Sequence, residues 1–95
     1  MAAIHIERLR EHQWVVTVEG GVTTEHTTTV TEQDVERYTA GKASHEELLR
    51  AAFEFLLARE SNTSILRSFS LPTIGEYFSE FESEMRKRFL HPEAS

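Results

Sequence analysis

Three features of the sequence predict an α+β fold, a three-stranded antiparallel β-meander followed by two to four helices packed on one face of the sheet. Apolar and polar residues alternate near the N-terminus, as they do in half-buried strands. A long capped segment from Ser44 to Glu60 reads throughout as a buried helix. Near the C-terminus, Ile74, Phe78, Phe81, Met85 and Phe89 recur at helical spacing.

From Ala2 to Leu9, residues Ile4, Ile6 and Arg8 alternate with His5, Glu7 and Leu9, which suits a strand with one half-buried face. Leu9 is out of phase, and either packs at the turn or marks a bulge. Gln13 to Glu19 is the clearest strand, with Trp14, Val16 and Val18 on one side. Gly20-Gly21 follows, a dipeptide able to take the positive φ angles of a tight hairpin, so a third strand is expected from Val22 to about Val30. Val22, Thr24, His26, Thr28 and Val30 form its core side. Thr23, Glu25, Thr27, Thr29 and Thr31 form a polar side left in water, because a wholly polar face belongs to a sheet covered on one side only.

A short helix is expected from Thr31, its cap, to Gly41, its stop, with Val35 and Tyr38 turned inward. Ser44 and Glu47 then form a capping-box pattern, with Glu46 and Glu47 in the first turn and Arg59 in the last, as the helix dipole favours. Leu48, Leu49, Ala52, Phe53, Leu56 and Leu57 make an apolar face that Ala51 and Phe55 widen, so the helix should meet a sheet on one side and another helix on the other. Ser61 to Ser64 ends it and either caps a further turn containing Ile65, Leu66 and Phe69 or leads into a short edge strand. The last helix begins at Pro72 or, by a second capping-box pattern of Ser79 and Glu82, at Ser79. Its acids lie early and its bases late, in the sense of the dipole. The tail from His91 should fray.

Ninety-five residues, 39% of them hydrophobic, suffice for a single domain spanning 1–95 but not for a large catalytic cavity. A net charge of −6 argues against a phosphate-backbone binder. The absence of cysteine removes disulfides, thiolate nucleophiles and cysteine-ligated zinc together. The N-terminus lacks the basic stretch and apolar run of a signal peptide, and no run approaches the roughly 20 residues of a membrane span, so a soluble cytoplasmic protein is expected.

Tests for chemistry return little. None of the five histidines shares a helical i,i+4 pair with another, and no metal ligand set follows. Asp34, the single aspartate, sits in a capping turn, so no Ser-His-Asp arrangement suggests itself, and neither a serine elbow nor a phosphate loop is present. Catalytic residues, metals and cofactors are therefore expected to be none. The candidate interaction surface comprises Thr23, Thr27 and Thr29 on the open sheet face with Phe81, Arg86, Arg88 and Phe89 on the last helix, since surplus apolar surface in so small a protein commonly ends in an interface.

The order of a Trp-Val-Val strand, Gly-Gly, a Thr/His strand, Ala-Gly-Lys-Ala-Ser-His-Glu-Glu-Leu-Leu, Ser-Ile-Leu-Arg-Ser-Phe and Tyr-Phe-Ser-Glu-Phe-Glu resembles a group of small uncharacterised bacterial proteins along nearly the whole chain. The resemblance implies a bacterial single-domain protein and supplies no activity or ligand. A looser likeness is to the sheet of HicB-like antitoxins. The chain departs from them in having no clear fourth strand after the central helix and no basic DNA-reading domain. The functional expectation is a non-enzymatic protein-interaction or regulatory module that binds a protein partner or itself. The alternatives are a regulator touching nucleic acid through Arg86, Lys87 and Arg88, or a small ligand-binding protein.

Overall fold

A computed structural model describes residues 3–90. The sheet has four strands in the order β1 (Ala3–Arg10), β2 (Gln13–Glu19), β3 (Thr24–Thr29) and β4 (Ser68–Ser70). The first three form the expected antiparallel meander. The fourth pairs parallel to β3, which corrects the three-stranded expectation and turns the sheet into a mixed one. Among the described residues four helices accompany it: α1 (Glu32–Thr39), α2 (His45–Leu57), α3 (Thr73–Tyr77) and α4 (Phe81–Leu90). Expectations for Ala2 and for the tail from His91 fall outside the described residues.

Strand register follows the side-chain pattern. Leu9 lies at an irregularity between Arg8 and Arg10, so the phase break is a bulge. Val16 and Val18 on β2 and Thr24, His26 and Thr28 on β3 are buried under the helices, as is Val30 just beyond the strand. Val22 is 60% exposed, because β3 starts two residues later than expected. Residues 20–23 form an open four-residue loop, and neither glycine there adopts a left-handed φ. The tight glycine turn is thus corrected; Asn62, described below, holds this loop from outside.

Both helix starts carry their boxes. Thr31 Oγ1 accepts from the Asp34 N–H and the Asp34 carboxylate accepts from the Thr31 N–H. Ser44 and Glu47 do the same for α2. α1 ends in two left-handed residues, Ala40 at φ 53° and Gly41 at φ 75°, and only the second is free of the Cβ penalty there. α2 stops at Leu57, short of Arg59. Arg59 nevertheless serves the helix end, since its guanidinium donates to the Phe55 carbonyl, lies 3.6 Å over the Phe55 ring and pairs with Glu80.

The α2 face meets both sheet and helices, as its breadth requires. Phe53 contacts the His26 ring on the sheet side, with ring centroids 5.5 Å apart. On the other side Phe55 meets Phe81 edge-on at 5.2 Å, and Phe81 also meets Tyr38 of α1 at 5.3 Å. Burial raises the Tyr38 phenol above its ordinary pKa. The C-terminal segment is two helices, because Phe78 is extended at φ −130°, ψ 98°. Across this break Phe78 and Phe81 both meet the Phe55 ring edge-on, at 5.8 and 5.2 Å, and α4 begins at Phe81 with neither Pro72 nor Ser79 as its first residue.

Candidate functional site

Among the described residues the fold leaves concave surface at the connection from α2 to α3, and also between α2 and α4, where a more open hollow of about 260 Å³ is lined largely by charged residues such as Glu54, Arg59, Glu84 and Arg88. After Ser61, a single 3-10 turn, Asn62–Ser64, carries the chain back toward β3. The Asn62 side-chain amide donates to the Val22 carbonyl at 2.7 Å and to Thr24 Oγ1 at 2.9 Å, with a longer contact to the Val18 carbonyl at 3.4 Å. It thereby supplies the β2–β3 loop with the closure its glycines do not.

His26 continues the network inward. Its Nδ1 lies 2.7 Å from the Leu66 carbonyl, which can only accept, so Nδ1 carries the proton. Nε2 then accepts from the Thr24 hydroxyl at 2.8 Å. Every polar atom of this fully buried ring is satisfied in the neutral form. Burial pushes its pKa below the ordinary histidine value; the Leu66 hydrogen bond opposes this and the Arg67 charge reinforces it. The result is a fixed Leu66, set down beside the sheet at a distance of 40 residues from His26.

β4 follows immediately. The Thr27 N–H donates to the Arg67 carbonyl at 2.8 Å and the Leu71 N–H donates to the Thr29 carbonyl at 3.0 Å, which locks the strand at both ends. Pro72 then precedes α3, where its missing N–H costs nothing. Between the end of α2, β4 and α3 lies a half-open apolar cleft of about 170 Å³. Leu56, Ile65, Phe69, Ile74 and Phe78 line it, and Glu60, half-buried, brings a carboxylate. Leu66 and Tyr77, 46% and 67% exposed, stand at it and are two of the four large apolar residues most open to water among the described residues.

The residues singled out from sequence are not brought together. Thr23 is exposed in the β2–β3 loop, while Thr27 and Thr29 lie half-buried on the open sheet face beside Ser68 and Ser70 of β4. Phe81 is fully buried between Tyr38 and Phe55 and belongs to the core, so it presents nothing to a partner. Phe89 is half-buried against the core. The two arginines are engaged inside the chain: Arg86 donates to the Arg37 carbonyl near the end of α1 at 2.6 Å, and Arg88 pairs with Glu54 of α2 at 2.8 Å. The carbonyl end of α1 accounts for the first placement and the Glu54 carboxylate for the second.

Glu60, Leu66, Phe69 and Tyr77 were not singled out as a site. One signal was available. Tyr77 falls off the stripe of Ile74, Phe78 and Phe81, and an aromatic residue off the apolar stripe of a helix is exposed unless another element covers it. Among the described residues, no three His, Asp or Glu side chains gather where they would hold a metal ion. Among the same described residues, no helix is long and apolar enough to cross a membrane. Compared with protein-family models, with curated proteins and with solved structures, the chain finds no match in any of the three.

Proposed function

We propose that this chain is a non-enzymatic protein-interaction module of the cytoplasm whose docking site is the cleft between α2, β4 and α3. The observation that carries the reading is the size of that cleft. About 170 Å³ is close to the volume that admits a single benzene-sized group, and it falls below the roughly 300 Å³ at which pockets for whole small-molecule ligands begin. A cleft that takes one side chain, with exposed Leu66 and Tyr77 beside it, suits an anchor residue presented by a protein. The basic end of α4 recommends itself less as a contact surface, because Arg86 and Arg88 already bond within the chain.

The test is site-resolved photo-crosslinking in the source cells. A photoreactive phenylalanine analogue at position 77 should trap a defined protein, and the same analogue at position 9, exposed on β1 at the opposite edge of the sheet, should not. Equal crosslinking from positions 77 and 9, or none from position 77, would refute the docking site. Capture that disappears on nuclease treatment would turn attention to nucleic acid.

A further inference from the structure

The docking reading becomes more specific when the main chain of β4 is considered. Among the described residues β4 is an edge of the sheet, with β3 on one side and no strand on the other. The Arg67 carbonyl and the Leu71 N–H are both spent on β3, so the odd-numbered residues of this segment turn their main-chain groups inward. Main-chain groups alternate sides along a strand, so those of Ser68 and Ser70 turn outward. Both serines are exposed, and in the parallel register with β3, whose bonds go to Arg67 and Leu71, their main-chain groups face the side that carries no strand among the described residues. The short strand carries no proline or charge, two of the features by which natural edges are blunted.

The cleft adjoins this edge, with Phe69 of β4 in its wall. Glu60 is the one charged residue lining it, and none of the ion pairs among the described residues uses that carboxylate. Building on the docking function proposed above, we infer that β4 takes up an extended segment of a partner as a fifth strand, which seats one aromatic or leucine-like side chain in the cleft and turns a lysine or arginine toward Glu60. In this mode the main chain supplies affinity and the pocket supplies choice. The basic residue stands two positions from the anchor, because residues i and i+2 of a strand share a face. The net charge of −6 favours the same sign of partner at longer range.

The experiment is a titration of the isotope-labelled protein, followed by NMR, with the blocked peptide acetyl-Thr-Lys-Thr-Phe-Thr-Lys-Thr-amide. Three comparison peptides carry Glu for both Lys, Ala for Phe, or methyl groups on every main-chain nitrogen. The parent peptide should shift the amide signals of Ser68 and Ser70 and slow their solvent exchange about tenfold or more. Affinity should fall about tenfold with the Glu peptide, and the Ala and N-methylated peptides should not bind. In Glu60→Gln the Lys and Glu peptides should bind alike. Shifts at Leu66 and Tyr77 with Ser68 and Ser70 unmoved, or equal affinity of the Lys and Glu peptides for the native chain, would overturn strand addition or the charge requirement while leaving the docking cleft intact. Absence of any shift at millimolar peptide would overturn the inference as a whole. The crosslinking at position 77 judges the docking function separately.

Discussion

Replacing His26 by Gln should cost this fold more than any other single polar substitution and should also remove a pH dependence. The imidazole joins two elements that are remote in sequence: it donates to the Leu66 carbonyl and accepts from the Thr24 hydroxyl, and no part of it reaches solvent. A glutamine that fails to span both contacts leaves one or two buried groups unpaired, at about 1–3 kcal/mol each. Lost packing against Phe53 adds to this, for a total of about 3–5 kcal/mol. The pH effect has a definite sign. The pKa of His26 is lowered in the fold, chiefly by burial, so below about pH 6.5 the unfolded chain binds a proton that the native chain refuses. Stability is therefore retained above that pH and lost as pH falls, with a slope of at most about 1.4 kcal/mol per pH unit from this residue. Urea unfolding of both proteins between pH 5 and pH 8 (roughly the span over which histidine charge changes) measures both quantities. An unfolding midpoint in His26→Gln equal to that of the native chain, or an unchanged slope below pH 6.5, would refute the assigned network.

Other substitutions probe different parts of the structure. Thr28→Val should raise stability by about 1 kcal/mol in chemical unfolding, because the fully buried Thr28 hydroxyl has no hydrogen-bond partner and a methyl group of similar shape needs none. Phe81→Ala should cost about 3–5 kcal/mol by the same measure, since it empties the contact among Tyr38, Phe55 and α4. The Arg37–Glu82 pair, 2.7 Å long but exposed, should contribute no more than about 1 kcal/mol in a double-mutant cycle and vanish in high salt. Its hydrogen bond to Arg37 lowers the Glu82 pKa, so its contribution is present above the ordinary glutamate value and is lost as pH falls below it, a window distinct from that of His26.

The sequence carries most of this fold in local signals. The Ser44–Glu47 capping box, the Thr31 cap, the alternation in β1 and β2 and the polar outer face of β3 each act over a few residues, and each lies where its pattern places it, whereas the Ser79–Glu82 pattern starts no helix. Elements held by distant contacts were harder to read. β4 has three residues, Ser-Phe-Ser, without a β-branched side chain; it is a strand because Thr27 and Thr29 bond its flanks. Likewise the β2–β3 loop is shaped by Asn62, some forty residues on, and the glycines that suggested a tight turn are not used as one. The break at Phe78 was hidden because its apolar residues keep helical spacing across it. The surplus of apolar residues made Phe81 a surface candidate, whereas Phe55 and Tyr38 enclose it. The cleft draws its walls from α2, β4 and α3, so no single stretch of sequence contains it.

The most direct measurement is a side-by-side comparison of the proteins retained by the native chain, by Leu66→Glu and by Val22→Glu. Both substitutions place a charge on an exposed apolar residue, and both should leave stability within about 0.5 kcal/mol of native. Leu66 belongs to the cleft and Val22 does not. The expected result is a defined partner held by the native chain and by Val22→Glu and lost from Leu66→Glu. Retention by Leu66→Glu at the native level, or equal loss from both variants, would contradict docking in the cleft.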